Sequence, residues 1–413
     1  MEYAAPPTLG ADLQAGITVA ALLVPQAIAY ALLAGLPPHV GLAAASIPLL
    51  AYAAFGRSAH LAVGPVALVS LLTATGLADA ETDNPVAAAA TLAVLVAIVH
   101  FAVAALRLGR LATRIAPGAM AGFTSAAALL IGFAQLSNLT GAPLERAGTV
   151  GGHLANLPTA AGNLEPATAL LAVASIAGLA ALRRTRLPGA LLIVMAATAL
   201  SAMLGGDLWA TVGEIPQALP TIELPLLDLG LIVDLAPTAV MITLIGALES
   251  FAVVGRYAKP DAPLAPNREL GALGAANLAA GFVGGYPVTG GLSRTAVNAS
   301  AGAQTRLAGA IAAVGVLVTT AFLTPLLSSL PKAALGAIIV VAVAGMVDVR
   351  SALVHLRTST RLPFAISLLA TAVFGVKIGL VAIVVVSLAW SQRSTSVAAT
   401  HPPALSQPAH TEA

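Results

Sequence analysis

Apolar runs of roughly 20 residues, long enough to cross a bilayer as helices, recur through this chain with scarcely a charge inside them. They cover residues 12–34, 39–56, 85–106, 115–136, 166–183, 187–205, 231–254, 268–283, 307–329, 332–347, 352–374 and 377–392. Over all 413 residues, 58% are hydrophobic and 9% charged, against about 25% charged in a typical soluble domain. That is too little charge to coat a water-exposed surface, so lipid must be the solvent for most of the chain. Lipid permits only structures that satisfy their own backbone, and such long runs therefore predict an all-α polytopic membrane protein. A net charge of +2 gives a nucleic-acid partner no support. With no cysteine, disulfides, thiolate metal sites and cysteine nucleophiles are excluded. Met1 to Leu9 has no basic stretch of the kind that opens a cleaved signal peptide. No Walker motif, GxSxG elbow, HExxH or metal-spaced histidine set occurs, which argues against an ATP-driven pump or an enzyme. No metal or cofactor is expected.

Two further apolar stretches, 65–77 and 288–301, are too short to span. Each follows a brief β-like run ending in Gly and Pro, Leu61 to Pro65 and Phe282 to Pro287. Counting these half-helices gives fourteen segments. An offset of 222 maps Pro65-Val66 onto Pro287-Val288 and Asp12-Leu13 onto Asp234-Leu235. Seven segments per half is an odd number, so the halves, about 1–206 and 207–392, must be inverted, the signature of secondary transporters. Charges outside the runs set the orientation. Basic clusters at Arg107/Arg110/Arg114, Arg183/Arg184/Arg186, Arg256/Lys259/Arg268 and Arg350/Arg357/Arg361 fall on one side when the N-terminus is cytoplasmic. The acidic loops Asp79/Glu81/Asp83 and Asp207/Glu214/Glu223/Asp228 fall on the other; Lys332 and Lys377 are exceptions. Both termini are then cytoplasmic. Residues 393–413, rich in Pro, Ser, Thr, Ala and His, read as a disordered tail.

Charge deep in an apolar segment costs about 2.5–3.5 kcal/mol on insertion scales. Two residues qualify, Glu249 and Arg294. Glu249 reads either as a proton carrier or as a structural carboxylate. Arg294 sits in the first turns of the second half-helix, whose free N–H groups carry partial positive charge. It reads either as part of an anion site, with Gly290 and Gly291 letting a ligand approach the backbone, or as a neutraliser of Glu249. If the halves are inverted, the first half-helix points its own N-terminus at the same midplane point. In the first long segment, Pro25 frees a carbonyl, while Gln26 and Tyr30, four apart, share a face. They contact a ligand or glue helices. His100 reads as a packing residue, and Gly122 and Gly132 as close-packing positions.

Residues 12–20 (DLQAGITVA), 24–38 (VPQAIAYALLAGLPP), 63–67 (VGPVA), 247–251 (ALESF) and 293–298 (SRTAVN) together resemble the SulP family, solute carrier family 26, over about 2–392. The resemblance implies a core of segments 1–4 and 8–11 and a gate of segments 5–7 and 12–14. It implies transport of sulfate, bicarbonate, chloride, oxalate or dicarboxylates, and is strongest to bacterial members that import dicarboxylates such as fumarate with protons. It implies a substrate between the half-helices, beside segments 1 and 8. The substrate-binding candidates are Gln26, Tyr30, Val66, Ala67, Gly291, Leu292, Ser293 and Arg294, with Glu249 for proton coupling. The expected partners are a small anion, a co-transported proton, the lipid bilayer and a second copy in a homodimer; the expected location is the bacterial inner membrane. Family members usually carry a cytoplasmic STAS domain after the last helix; no STAS domain is expected here.

Overall fold

The computed structural model describes residues 8–400 except 110–114, 184, 186–187, 206–207, 227, 258–264, 348 and 359. Among the charges that set the expected orientation, Arg110, Arg114, Arg184, Arg186, Lys259 and Asp207 lie outside the described residues.

Each apolar run forms helix. The first seven segments, six long and one half-helix, give α1 (Leu9–Ala34), α2 (Pro38–Phe55), α3 (Ala67–Asp79), α4 (Pro85–Ala105), α5 (Pro117–Phe133), α9 (Pro166–Leu182) and α10 (Gly189–Met203). Between α5 and α9 lie three short helices that hydropathy does not flag: α6 (Leu136–Thr140), α7 (Val150–Ala155) and α8 (Leu157–Gly162). The second half gives α11 (Leu229–Tyr257), α12 (Pro266–Phe282), α13 (Leu292–Ser300), α14 (Leu307–Val318), a π turn (Thr319–Leu323), α15 (Thr324–Leu327) and α16 (Lys332–Ala344). It ends in α17 (Val349–Arg357), α18 (Arg361–Phe374) and α19 (Val376–Thr400). Helices α2, α4, α5, α9 and α12 open on proline, which lacks an N–H that would have no helical partner there anyway. Helix α1 closes on Gly35 at φ 79°, a left-handed cap that returns the Leu36 N–H to the Ala31 carbonyl at 2.9 Å.

Six stretches are long and apolar enough to cross a membrane. The bent pair 150–162 and Pro166–Leu182, at 120° to one another, makes a seventh if it is one span. The remaining apolar helices are shorter. The chain is therefore a mostly helical, polytopic membrane protein. One expected span is interrupted. Segment 352–374 breaks after Arg357, where the Thr360 hydroxyl meets His355 Nδ1 at 2.8 Å and Thr358 donates to the His355 carbonyl. Such local side-chain bonds compete with the helical ladder. Segment 307–329 runs on as one helical stretch, Leu307–Leu327, with a π turn inside it. At the C-terminal end, α19 continues to Thr400, past residue 393 where the expected tail begins. Residues 401–413 lie outside the described residues.

The helices pack in two sets. In one, α1 lies against α2, α3, α13 and α14, α12 sits between α2 and α4, and α11 covers α3 and α4. In the other, α5 packs on α18 and α19, and α16 packs on α6, α9 and α10. The sets meet where α1 touches α16 and α10, α3 touches α5, and α11 touches α19.

Inside the first set lie two strands, β1 (Val63–Gly64) and β2 (Thr289–Gly290). They pair antiparallel, Val63 opposite Gly290 and Gly64 opposite Thr289. This corrects the repeat register read from the paired dipeptides. Helix α3 starts two residues after Pro65, but α13 starts five after Pro287. The second β run is 289–290, downstream of Pro287 rather than upstream. Asn277 explains the difference: its side-chain amide donates to the Val288 carbonyl and accepts from the Val288 N–H, both at 2.9 Å. That clamp holds residues 287–288 on α12, so strand and helix begin only beyond it.

Candidate functional site

Irregular backbone at membrane depth survives only where protein satisfies its polar groups. The segments before α3 and α13 meet that condition through side chains. Thr295 Oγ1 accepts from the Ala62 N–H at 3.1 Å, and the Ala62 carbonyl accepts from the Gly291 N–H at 3.1 Å. Ser250 of α11 accepts from the Gly290 N–H at 3.1 Å and contacts the Thr289 hydroxyl at 2.9 Å; Thr289 in turn donates to the Gly246 carbonyl. Tyr286 and Ser70 join the two segments hydroxyl to hydroxyl at 2.9 Å. Asn298 donates to the His60 carbonyl at 2.9 Å. The result is a rigid crossing from which α3 and α13 both emerge.

Neither helix start has a side-chain cap. The first intrahelical bonds are Ser70 N–H to Val66 O and Thr295 N–H to Gly291 O, both 2.9 Å. The preceding amides, from Ala67 and from Leu292 onward, carry the partial positive charge of a helix start.

Arg294 is the third residue of α13, closer to the helix start than its sequence position suggests, and is 1% exposed. Its Nη1 donates to the Pro65 carbonyl at 2.6 Å and to Gln26 Oε1 at 3.2 Å. The guanidinium thus joins α13, α1 and the entry to α3. Its Nε and Nη2 are buried and have no protein acceptor among the described residues. The side chain folds over its own helix start: a Cβ on Gly291 would stand 2.7 Å from Arg294 Cζ, and one on Gly64 3.4 Å from Nη2. Glycine at 291 thus lets the guanidinium approach the backbone closely, whereas 3.4 Å at Gly64 is ordinary contact distance.

Of the residues singled out from sequence, the structure brings together Gln26, Val66, Ala67, Gly291 and Arg294, all buried at this crossing. Tyr30 is 5% exposed, one turn along α1 from Gln26, within electrostatic reach of Arg294 and Glu249. Leu292 and Ser293 are exposed, on the face of α13 opposite Arg294 and Thr295. Glu249 is half-buried on α11 and makes no ion pair with Arg294. Among the described residues the only ion pair joins Lys377 to Asp79. Arg294 and Glu249 are within electrostatic reach of one another without forming an ion pair.

Two buried carboxylates escaped the reading of deep charge, because both lie at helix ends. Asp12 accepts from the Gln304 and Thr305 N–H groups at 2.7 and 3.0 Å and from the Thr305 hydroxyl, tying α1 to the approach to α14. Glu269 accepts from the Tyr52 hydroxyl. Thr289, Ser250 and Asn277 were also missed; a lone hydroxyl or amide in an apolar run carries no signal of what it will cap. His100 is buried, its Nδ1 2.9 Å from the Val96 carbonyl while Nε2 has no partner among the described residues. Gly122 packs on the backbone at Phe364, whereas a Cβ on Gly132 would meet open space.

Residues 9–370 match the sulfate permease family. The chain is 36% identical over 397 residues to the chloroplastic sulfate transporter 4.1 of Arabidopsis thaliana, covering 92% of this chain and 58% of that protein. It is 36% identical over 351 residues to a probable sulfate transporter of Mycobacterium tuberculosis, covering 82% and 62%. It is 31% identical over 381 residues to a sodium-independent sulfate anion transporter of Bos taurus, covering 82% and 62%. The chain thus spans about three-fifths of the length of these relatives. Among solved structures it resembles the murine solute carrier 26 family member A9 anion transporter in the inward-facing state, with TM-score 0.84, 25% identity, and coverage of 96% and 70%. It also resembles the transmembrane domain of the cyanobacterial bicarbonate transporter BicA, with TM-score 0.78, 25% identity, and coverage of 91% and 97%. These relatives are transporters rather than enzymes, and the chain belongs to the sulfate permease family.

Proposed function

We propose that this chain is the transport unit of an anion carrier that moves a small oxyanion, sulfate or bicarbonate, by alternating access. The observation that carries the reading is Arg294: a guanidinium with two buried donors that lack acceptors among the described residues, held where two uncapped helix starts converge. Fixed donors of this kind favour an anion that can accept several bonds at once. The names of the relatives favour sulfate and bicarbonate over the dicarboxylate expected from sequence. Gln26, Tyr30, Val66, Ala67, Gly291 and Arg294 form the binding side of the site in this reading. Leu292 and Ser293 face away from Arg294 and serve the approach to it.

Fourteen segments in two inverted repeats remain our reading of the architecture, supported by the antiparallel β1–β2 pair from which the two half-helices emerge. The two packed sets support a core that moves against a gate. We place the basic loops and both termini in the cytoplasm of a bacterial cell, with a homodimer as the working assembly; the charge distribution supports the orientation.

A second reading, proton-coupled uptake of a dicarboxylate such as fumarate, draws on Glu249, a half-buried carboxyl without an ion-pair partner within electrostatic reach of Arg294. Uptake of radiolabelled sulfate, bicarbonate, fumarate and uracil into proteoliposomes, with and without an inward-acid pH step, separates the readings. Concentrative sulfate or bicarbonate uptake supports the first. Fumarate uptake driven by external acid, with neither inorganic anion competing, would replace it with the second.

A further inference from the structure

Away from the crossing, an outer side of the first helix set carries a groove of about 1040 Å³ between α2, α4 and α12. Its walls include Phe55, Phe101 and Phe282, and its floor is the partly exposed stripe Gly271, Ala275 and Ala279 of α12. The floor is low because the side chains are small; a Cβ on Gly271 would meet nothing within 4 Å. From Arg268 to Phe282 the groove follows α12 for about 21 Å at 1.5 Å per residue, enough for an extended acyl chain.

One end of the groove differs sharply from the rest. Arg57, Arg268 and Arg306 converge there, all exposed, and no carboxylate is among the described residues that line the groove. Glu269, adjacent in sequence to Arg268, is turned inward and accepts from the Tyr52 hydroxyl. None of the three arginines forms an ion pair among the described residues. Arg306 is held in place by donating from Nη1 to the Ala54 and Gly56 carbonyls at 2.9 and 2.7 Å. It also borders a second, smaller cleft of about 410 Å³ between α2 and the start of α14, lined by Leu50, Ala53 and Ala310. Two apolar clefts therefore meet at one cationic end.

We propose that this groove is a binding site for an anionic diacyl phospholipid of the cytoplasmic leaflet, its phosphate on Arg57, Arg268 and Arg306 and its acyl chains in the two clefts. The charge fits: Glu269, buried against the Tyr52 hydroxyl and within electrostatic reach of Arg57, offsets one of the three cations, so the cluster keeps an excess positive charge that favours an anion, and the apolar clefts running from it favour one that carries hydrocarbon. The side fits as well, since these arginines lie at the ends that the charge distribution assigns to the cytoplasm, where anionic headgroups attract basic residues. The site needs only insertion in a bilayer and stands apart from the identity of the transported anion.

Native mass spectrometry of the purified protein tests it, with phosphatidylglycerol and phosphatidylcholine of matched acyl chains as probes. The wild type should retain phosphatidylglycerol in clear preference to phosphatidylcholine. The double variant Arg57→Gln/Arg268→Gln should lose that preference by about thirty-fold, from roughly 1 kcal/mol per basic residue at a membrane surface. Both positions are exposed, so the variant keeps the fold. Gly271→Leu, which raises the groove floor and leaves the arginines alone, should weaken retention of both lipids. Equal retention of the two lipids by the wild type, or an unchanged preference in the double variant, overturns the proposal. So does displacement of the lipid by millimolar inorganic phosphate, which would mark a free-anion site. Lipid-free dimers dissociated by the same substitutions would show that a second copy occupies the groove, and also overturn it.

Discussion

Arg294 does two jobs with one fork. Nη1 fastens Gln26 of α1 and the Pro65 carbonyl ahead of α3, while Nε and Nη2 have no acceptor among the described residues and are the donors that the proposed site offers to the anion. A lysine has a single ammonium on a flexible stem and cannot reproduce that division. Arg294→Lys should therefore keep some uptake with a raised KM, by about thirty-fold if one buried charge-assisted contact worth roughly 2 kcal/mol is lost. A KM equal to wild type would mean that charge alone suffices. Glu249 stands near this fork without pairing to it, so its role is open to titration of the transport cycle itself. If it carries a proton, Glu249→Gln should flatten the pH dependence of uptake while leaving anion binding at fixed pH. An unaltered pH profile in that variant removes it from coupling.

At the scale of elements, the crossing of β1 and β2 is held by a few polar side chains, each answering for buried backbone. Asn277 makes three hydrogen bonds, to Leu273 O, Val288 O and Val288 N. Asn277→Ala leaves the Val288 groups without these partners, at about 1–3 kcal/mol for each buried group, and should lower the melting temperature measured in detergent. Gly291→Ala acts differently: its methyl would crowd the guanidinium, so it should impair anion uptake more than it lowers the melting temperature. Helix positions were legible in the sequence because lipid burial writes itself as long apolar runs, and Pro at helix starts marked many boundaries. The half-helices were legible too, from short runs after Gly-Pro. Their register was not, since Pro65 and Pro287 look equivalent while only the second is followed by residues clamped to α12. Nor were the break in 352–374 and the π turn within 307–329, which arise from local backbone geometry inside runs of unchanged hydropathy. The site residues Gln26 and Arg294 stood out as polar groups in apolar surroundings. The capping hydroxyls did not, because serine and threonine are common in membrane helices whether or not they cap anything.

For the whole molecule, the two helix sets are bridged by an ion pair, Lys377 of α19 to Asp79 of α3, at the ends assigned to the outside. The two side chains are 28% and 64% exposed, so the pair is worth at most about 1 kcal/mol. Lys377→Ala should then shift the balance between outward- and inward-open states by up to about five-fold. The absence of cysteine from the chain makes this measurable with a single Ser293→Cys label and a membrane-impermeant maleimide applied to either side. Labelling should move toward the side of Asp79; equal labelling in both backgrounds would leave the pair no part in gating. The central claim is that an anion is held where α3 and α13 begin, by Arg294. Equilibrium binding of radiolabelled sulfate and bicarbonate to purified wild type and Arg294→Ala tests it most directly. The account predicts saturable binding of at least one of these anions to the wild type, and its loss in a variant that keeps the wild-type circular dichroism spectrum. Binding of wild-type strength by folded Arg294→Ala would contradict it.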